Sequence, residues 1–274
     1  MPVAAAKAAA NVDAIAAEVL AALDAPRQIT PFSSRPAGLT QEDAYRVTAR
    51  HVALRRARGE TVVGRKIGFT NRTIWPEYNV YAPNWGYVTD RTVHDLAKPL
   101  SLAPFVEPKI EPEIVFGIGQ APKADMDEAA LMGCIDWVAH GYEIVQSIFP
   151  NWKFAPADTA AANAMHGALL VGPRHAFKLR AAEWRRELAT FTIELYRNGE
   201  LADRGSGANV LDSPLSALHH LVGLLANDPD NPQLEAGEIV STGTLTRALP
   251  AAAGEVWHTK LSGIALEGIE LRFA

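Results

Sequence analysis

The sequence predicts an α+β protein with a mixed β-roll, barrel-like core and an N-terminal helical part. Three observations carry this expectation. Strand-like runs outnumber helical ones and crowd into the C-terminal half, which argues against a doubly wound parallel sheet. Two alternating runs flank Asn198-Gly199, the strongest short hairpin signal. The tail holds three further strand-like runs separated by Gly-rich turns.

Taken in chain order, Ile15, Val19, Leu20 and Leu23 recur at helical spacing, so the alanine-rich start reads as an amphipathic packing helix. Lys7, Asp13, Glu18 and Asp24 interrupt any apolar region of signal-peptide type, and the polar face is not basic. Residues 27–40 are a Pro- and Ser-rich loop. Thr40 then opens a helix to about Arg58, with Ala44, Val47, His51 and Leu54 in apolar register. Residues 61–67 (TVVGRKI) read as a strand. Residues 68–86, rich in Gly, Pro and Asn, read as a long loop. Its aromatics, Trp75, Tyr78, Tyr81 and Trp85, suit a substrate lid and simple packing equally.

Residues 110–118 (IEPEIVFGI) form a β-rich run, and residues 127–132 a short helix. The apolar run 137–149 fits strand or helix; its β-branched residues and Gly141 favour a strand near Glu143. Residues 190–202 make the hairpin, and Pro214 starts a helix to about Leu225. Runs at 237–246, 254–263 and 264–273 complete the strands. No repeat or low-complexity linker divides the chain. The expected organisation is a helical part over residues 1–60 and a catalytic β-roll over 61–274, together forming one structural unit.

Composition narrows the function classes. The 274 residues are 48% hydrophobic and 21% charged, an ordinary globular balance. A net charge of −5 argues against a phosphate-tracking surface for nucleic acid. No charge-free run is long enough to span a bilayer. The single cysteine, Cys134, excludes an internal disulfide and a Cys-cluster zinc site, and it reads as a small buried hydrophobe. A cytoplasmic location is the default expectation.

Glu111-Pro112-Glu113 is the most informative feature. In a strand, residues i and i+2 share a face, so both carboxylates project together. Pro112 cannot donate to a sheet ladder, which implies an edge or a locally unpaired position. Such pairs on strands are often solvated surface charges. Here the apolar run Ile114-Val115-Phe116 continues straight into a core, where unpaired like charges are costly. A hard oxygen-liganded ion, Mg²⁺ or Mn²⁺, is a natural partner. Glu143, in the next apolar run, is a candidate third carboxylate for a facial three-carboxylate site. Glu107 reads as a surface charge. Gly117-Ile118-Gly119 lacks the third glycine of a dinucleotide site.

The motifs KIGFT (66–70), KIEPEIVFGIG (109–119), GYEIV (141–145), NWKF (151–154) with Asp158-Thr159 and Asn163-Ala164, and LEAGEIVSTGTLT (234–246) occur in a suggestive order. In them the chain resembles the 2-keto-4-pentenoate hydratase and 4-oxalocrotonate decarboxylase family, within the fumarylacetoacetate hydrolase superfamily. The resemblance covers most of the chain. It implies Mg²⁺ or Mn²⁺ held by Glu111, Glu113 and Glu143. It implies catalytic roles for Lys66, Asp158 and His166, and substrate contacts from Asn163, Thr244, Thr70 and Trp85. It also implies a homo-oligomer, with association to a sister hydratase or decarboxylase as a further option. Three stretches depart from the family pattern: Ala162 replaces a second aspartate, Tyr81 an acid, and Thr244 a glycine.

The function implied is that of a hydratase adding water to a 2-hydroxyalka-2,4-dienoate, a small-molecule 2-oxo acid in its enol form. The nearest alternative is a 2-oxo-3-enedioate decarboxylase on the same scaffold. A C–C hydrolase needs a His/Glu pair that the sequence does not place. A non-catalytic oxo-acid-binding or complex-stabilising subunit is the reading of another class. Lys66 serves as a cation for an anionic substrate, or as a proton donor if its pKa is depressed.

Overall fold

The computed structural model describes residues 10–274. Helices α1 (Val12–Asp24) and α2 (Gln41–Ala57) pack through Ile15, Val19, Ala44 and Val47. Asn11 caps α1 by accepting from the Ala14 amide (3.0 Å), and Thr40 caps α2 by accepting from the Asp43 amide (3.1 Å). Lys7, used in reading α1, lies outside the described residues.

Strand β1 (Val62–Gly68) forms as expected. The stretch after it is not an unbroken loop. It holds the one-turn helix α3 (Trp75–Tyr78) and strand β2 (Asn84–Thr89). Strand β2 starts as Asn-Trp-Gly directly after Pro83, which has the composition of a turn. Next come β3 (Val93–His94), β4 (Lys109–Ile118), α4 (Glu128–Met132) and β5 (Ile135–Val145). The run that fitted strand or helix is therefore a strand through Glu143.

No element was legible in residues 150–189, yet the chain forms α5 (Pro156–Ala161), β6 (His166–Val171), β7 (His175–Ala176) and α6 (Ala181–Thr190) there. Helix α5 is almost all small residues, and α6 buries only Trp184 and Leu188, so neither shows a broad apolar stripe. The hairpin β8 (Thr192–Arg197) and β9 (Glu200–Ser206) turns at Asn198 and Gly199, whose φ values of 53° and 85° suit a type I′ turn. Helix α7 (Pro214–Ala226) is capped by Ser213. Strands β10 (Ile239–Thr244), β11 (Leu249–Pro250), β12 (Val256–Ser262) and β13 (Glu270–Arg272) end the chain.

One sheet runs β2-β1-β10-β4-β5-β6-β3, with β11 beside β4 and β7 beside β5. Its β1·β10 and β3·β6 pairs are parallel and the others antiparallel, so the sheet is mixed. A second, antiparallel sheet runs β13-β12-β8-β9. Strand alternation gives the large sheet two distinct faces. Ile114 and Phe116 of β4 face a core built with Leu188 of α6 and Leu218 and Leu221 of α7. Ile110, Tyr142 and Ile144 pack on Leu195, Trp257 and Leu271 of the second sheet. On the opposite face, Val88 of β2 meets Val115 and Leu169 of β6, so the two flanks of the sheet close toward each other. The result is a curled half-barrel with helices around it, the predicted class. Glu111 and Glu113 point to this inner face. Among the described residues no helix is long and apolar enough to cross a membrane.

Candidate metal centre

The antiparallel β4·β5 register sets Glu143 directly opposite Glu111, and Gly141 opposite Glu113. One oxygen from each carboxylate lies within 4.8 Å of the others. All three residues are buried, Glu113 and Glu143 completely. Pro112 does not mark an edge, because β4 is flanked by β5 and β10. It lies just beyond the last β10·β4 pair, Thr244 with Glu113, where its carbonyl accepts from the Leu245 amide at 2.9 Å, so its missing N–H falls past the end of β10.

The β10·β4 register shift between Ser241 and Thr244 serves Glu113. The Gly243 amide donates to Glu113 Oε2 at 2.9 Å, and the Ser241 hydroxyl donates to the same oxygen. Gly243 has a φ of +99°, and a Cβ there would lie 1.8 Å from Thr70 Oγ1, so only glycine fits. Glu143 Oε1 lies 2.7 Å from His166 Nδ1. The remaining oxygens, Glu113 Oε1 and Glu143 Oε2, accept no hydrogen bond.

Lys66 on β1 is the nearest cation. Its Nζ is 3.2 Å from Glu143 Oε2 without hydrogen-bond geometry, and it donates to the Ala164 carbonyl at 3.1 Å. Burial and mutual repulsion push Glu111 and Glu113 up to about 8 against the pull of Lys66. Burial raises Glu143 as well. Burial alone would lower the pKa of Lys66, but the three carboxylates outweigh it and hold the group above its ordinary value. This direction favours the cation reading of Lys66 over that of a proton donor with a depressed pKa. One ammonium faces three carboxylates, two of which carry an uncommitted oxygen. This donor set, all oxygen and under-compensated, fits a hard divalent ion.

Of the three carboxylates, Glu111 lines a small cavity of about 40 Å³. Lys66, Glu111, Thr70, Asn71 and Thr244 give it polar groups. Phe69, Ile74, Tyr78, Trp152, Met165 and Ala248 make much of the remaining wall apolar. Thr70 Oγ1 is buried without a partner. Thr244 donates to the Thr246 carbonyl at 2.9 Å.

Four residues expected at the substrate stand elsewhere. Asp158 accepts from the Ser33 and Ala155 amides (2.9 and 2.8 Å) and from the Ser33 hydroxyl, tying the start of α5 to residues 31–34. Asn163 is spent on the backbone of Tyr87, accepting at 2.7 Å and donating at 2.9 Å. Trp85 is buried between Tyr45 and Tyr87. His166 lies behind Glu143, outside the cavity wall. Burial, with the charges of Lys66 and Arg55, keeps its pKa well below the usual value. Of segment 158–166, only Ala164 and Met165 line the cavity.

Of the loop aromatics, Tyr78 lines the cavity. Trp75 instead donates to the Phe69 carbonyl (2.8 Å) and stands edge-on to Tyr81. Arg65 points away from Lys66, as strand alternation requires, and pairs with Glu238 at 2.7 Å. Sequence reasoning missed Phe69, Ile74, Trp152, Met165 and Ala248. Phe69 and Trp152 belong to the motifs KIGFT and NWKF, the one signal that pointed to them. Phe69, Trp152, Asn163, Ala164 and Met165 all hold positive φ, between 50° and 62°, a strained backbone gathered at the site.

Comparison with known proteins agrees with this geometry. Residues 68–267 match the family model for the fumarylacetoacetate (FAA) hydrolase C-terminal region. The chain is 31% identical to a 2-hydroxyhexa-2,4-dienoate hydratase of Comamonas testosteroni over 89% of this chain and 90% of that one. It is 29% identical to a 2-hydroxypent-2,4-dienoate hydratase of Pseudomonas putida, over 73% and 88%. Among solved structures, the 4-oxalocrotonate decarboxylase of Pseudomonas putida G7, complexed with magnesium and adipate, superimposes with a TM-score of 0.87. That likeness is at 26% identity and covers 96% of this chain and 97% of that one. The chain belongs to the fumarylacetoacetate hydrolase C-terminal family. These relatives are hydro-lyases and a carboxy-lyase.

Proposed function

We propose that this family member is a divalent-metal-dependent lyase that adds water to a 2-hydroxyalka-2,4-dienoate. The observation that carries the reading is three gathered, buried carboxylates facing the single ammonium of Lys66, with Glu113 Oε1 and Glu143 Oε2 accepting no hydrogen bond. In this reading Glu111, Glu113 and Glu143 hold Mg²⁺ or Mn²⁺. When bound, the ion supplies a Lewis acid that stabilises negative charge on the substrate's C2 oxygen.

The chain's own groups do the rest. Lys66, kept charged by its neighbours, binds the substrate carboxylate and fixes its orientation. The Ala164 carbonyl holds the ammonium in place, and the Asn163 clamp on Tyr87 holds that carbonyl. Thr70 Oγ1, free to donate or accept, orients either a substrate oxygen or the added water. Thr244 spends its proton on Thr246, so it offers the substrate only a lone pair. The aromatic wall excludes bulk water from the enolic intermediate.

A second reading, decarboxylation of a 2-oxo-3-enedioate, is favoured by the likeness to the decarboxylase. The cavity lining argues for hydration. Among the described residues Lys66 is the one Lys, Arg or His in its lining, and Lys109 stands behind the wall residues Tyr78 and Trp152, so a second carboxylate finds no cation in the lining itself. The deciding experiment supplies Mn²⁺-loaded protein with 2-hydroxypenta-2,4-dienoate and with 2-oxo-3-hexenedioate, monitoring water addition and CO₂ release. Water addition to the first is expected. Release of CO₂ from the second with no hydration of the first overturns the reading. Bound metal with no turnover of either points to a binding subunit. The family resemblance extends the proposal to a homo-oligomer in the cytoplasm; sedimentation velocity tests the oligomer.

A further inference from the structure

We infer that His166 and Thr92 are a positioning pair that holds the Glu143 carboxylate toward the ion, with Thr92 selecting the imidazole tautomer. The inference rests on Glu143 being a metal ligand, as proposed above.

Three contacts define the pair. His166 Nδ1 is 2.7 Å from Glu143 Oε1, and His166 Nε2 is 2.9 Å from Thr92 Oγ1. Thr92 is itself fixed: its carbonyl accepts from the Leu169 amide at 2.8 Å, and Leu169 lies directly opposite Glu143 in the β5·β6 pairing. The pair and the carboxylate are thus anchored to the same strands. His166 is 4% exposed and does not line the cavity, so it acts through Glu143 and not on a substrate.

The proton count gives the pair its direction. An ionised Glu143 only accepts hydrogen bonds, so Nδ1 must carry the imidazole proton. Nε2 then presents a lone pair and needs a donor. Thr92 Oγ1 has a second outlet for its proton, the Thr89 carbonyl at 3.0 Å, and receives the Thr89 amide at 3.2 Å. Turning the hydroxyl from Thr89 to Nε2 satisfies the tautomer that an ionised Glu143 requires. With Oε1 held this way, Oε2, which accepts no hydrogen bond and lies 3.2 Å from Lys66 Nζ, is the oxygen left for the ion. Outer partners that fix a ligand's orientation in this manner typically raise metal affinity by about 10–100-fold.

The test is Mn²⁺ affinity by electron paramagnetic resonance on the full chain, with thermal midpoints as a folding control. His166→Leu should weaken binding by about 10–100-fold, and His166→Asn, whose amide replaces the Nδ1 donor, should recover most of it. Thr92→Val, which leaves the imidazole in place, should weaken binding by a smaller factor. Unchanged affinity in folded His166→Leu overturns the inference. If that variant does not fold, unchanged affinity in Thr92→Val overturns it instead. Glu113→Gln separates the two levels of argument. Loss of binding in Glu113→Gln but not in His166→Leu defeats the positioning pair alone. Full binding in Glu113→Gln defeats the metal centre, and the pair with it.

Discussion

Two clusters of buried acid in this molecule are resolved in opposite ways. Glu60, between α2 and β1, meets Arg55 and Arg58 at 2.8 Å each and accepts from the Thr89 hydroxyl at 2.8 Å. Burial pushes its pKa up, but these partners outweigh it and leave the carboxyl below its ordinary value. At Glu111, Glu113 and Glu143, burial is stronger and a single Lys66 faces three acids, so Glu111 and Glu113 sit at about 8. Residue type is the same and both clusters are largely hidden from water. The difference is the supply of cations and donors. Burial of an acid therefore says little about function by itself; an uncompensated surplus of acid does.

The comparison breaks most visibly if Glu113→Gln still binds metal. Removing one ligand should weaken Mn²⁺ binding by more than about 100-fold, beyond what loss of an outer partner costs, and abolish turnover. Equilibrium dialysis reads the first effect directly. Next in size is Lys66→Met. Loss of the cation that orients the substrate should lower kcat by about 10²–10³-fold. Metal affinity should hold or tighten in that variant, because the net negative charge around the ion increases. A parallel fall in metal affinity would show that Lys66 supports the carboxylates and not the substrate.

Glu60→Gln probes the compensated cluster. It should cost about 2 kcal/mol in urea denaturation, the penalty for under-satisfied buried partners, and leave Mn²⁺ affinity unchanged. A further effect is a slope with pH. The folded-state pKa values of Glu111 and Glu113 lie above the unfolded value, so the folded metal-free protein binds more protons between about pH 4.5 and 8. Its stability should therefore fall as pH rises through that window. Saturating Mg²⁺ should flatten the slope, since the ion binds the ionised form. Thermal midpoints with and without EDTA measure both arms.

Much of this was legible in the sequence because strands have period two. Glu111 and Glu113 had to share a face, and the apolar residues after them had to enter a core. The mixed, curled sheet was readable from strand density, the Asn198-Gly199 hairpin and the tail. What stayed hidden depends on tertiary placement. Asp158 and Asn163 were expected at the substrate on the strength of their motif. Their side chains instead hold backbone amides and carbonyls, work that a motif cannot distinguish from catalysis. Pro112 suggested an edge, yet β4 lies between β5 and β10, and the missing donor falls just past the end of β10. The cavity wall escaped because Phe69, Trp152 and Met165 reach it through left-handed backbone, which no periodicity announces. Helix α5 escaped because a run of small residues carries no amphipathic signal.

The most direct test of the central claim is the number of protons released when the metal-free protein binds Mg²⁺, measured by calorimetry in buffers of different ionisation enthalpy. Acids held near 8 must give up protons to the ion, so release per ion should be substantial at about pH 6.5 and fade above about pH 8.5. Binding with no proton release at the lower pH, or no binding at all, would contradict the account.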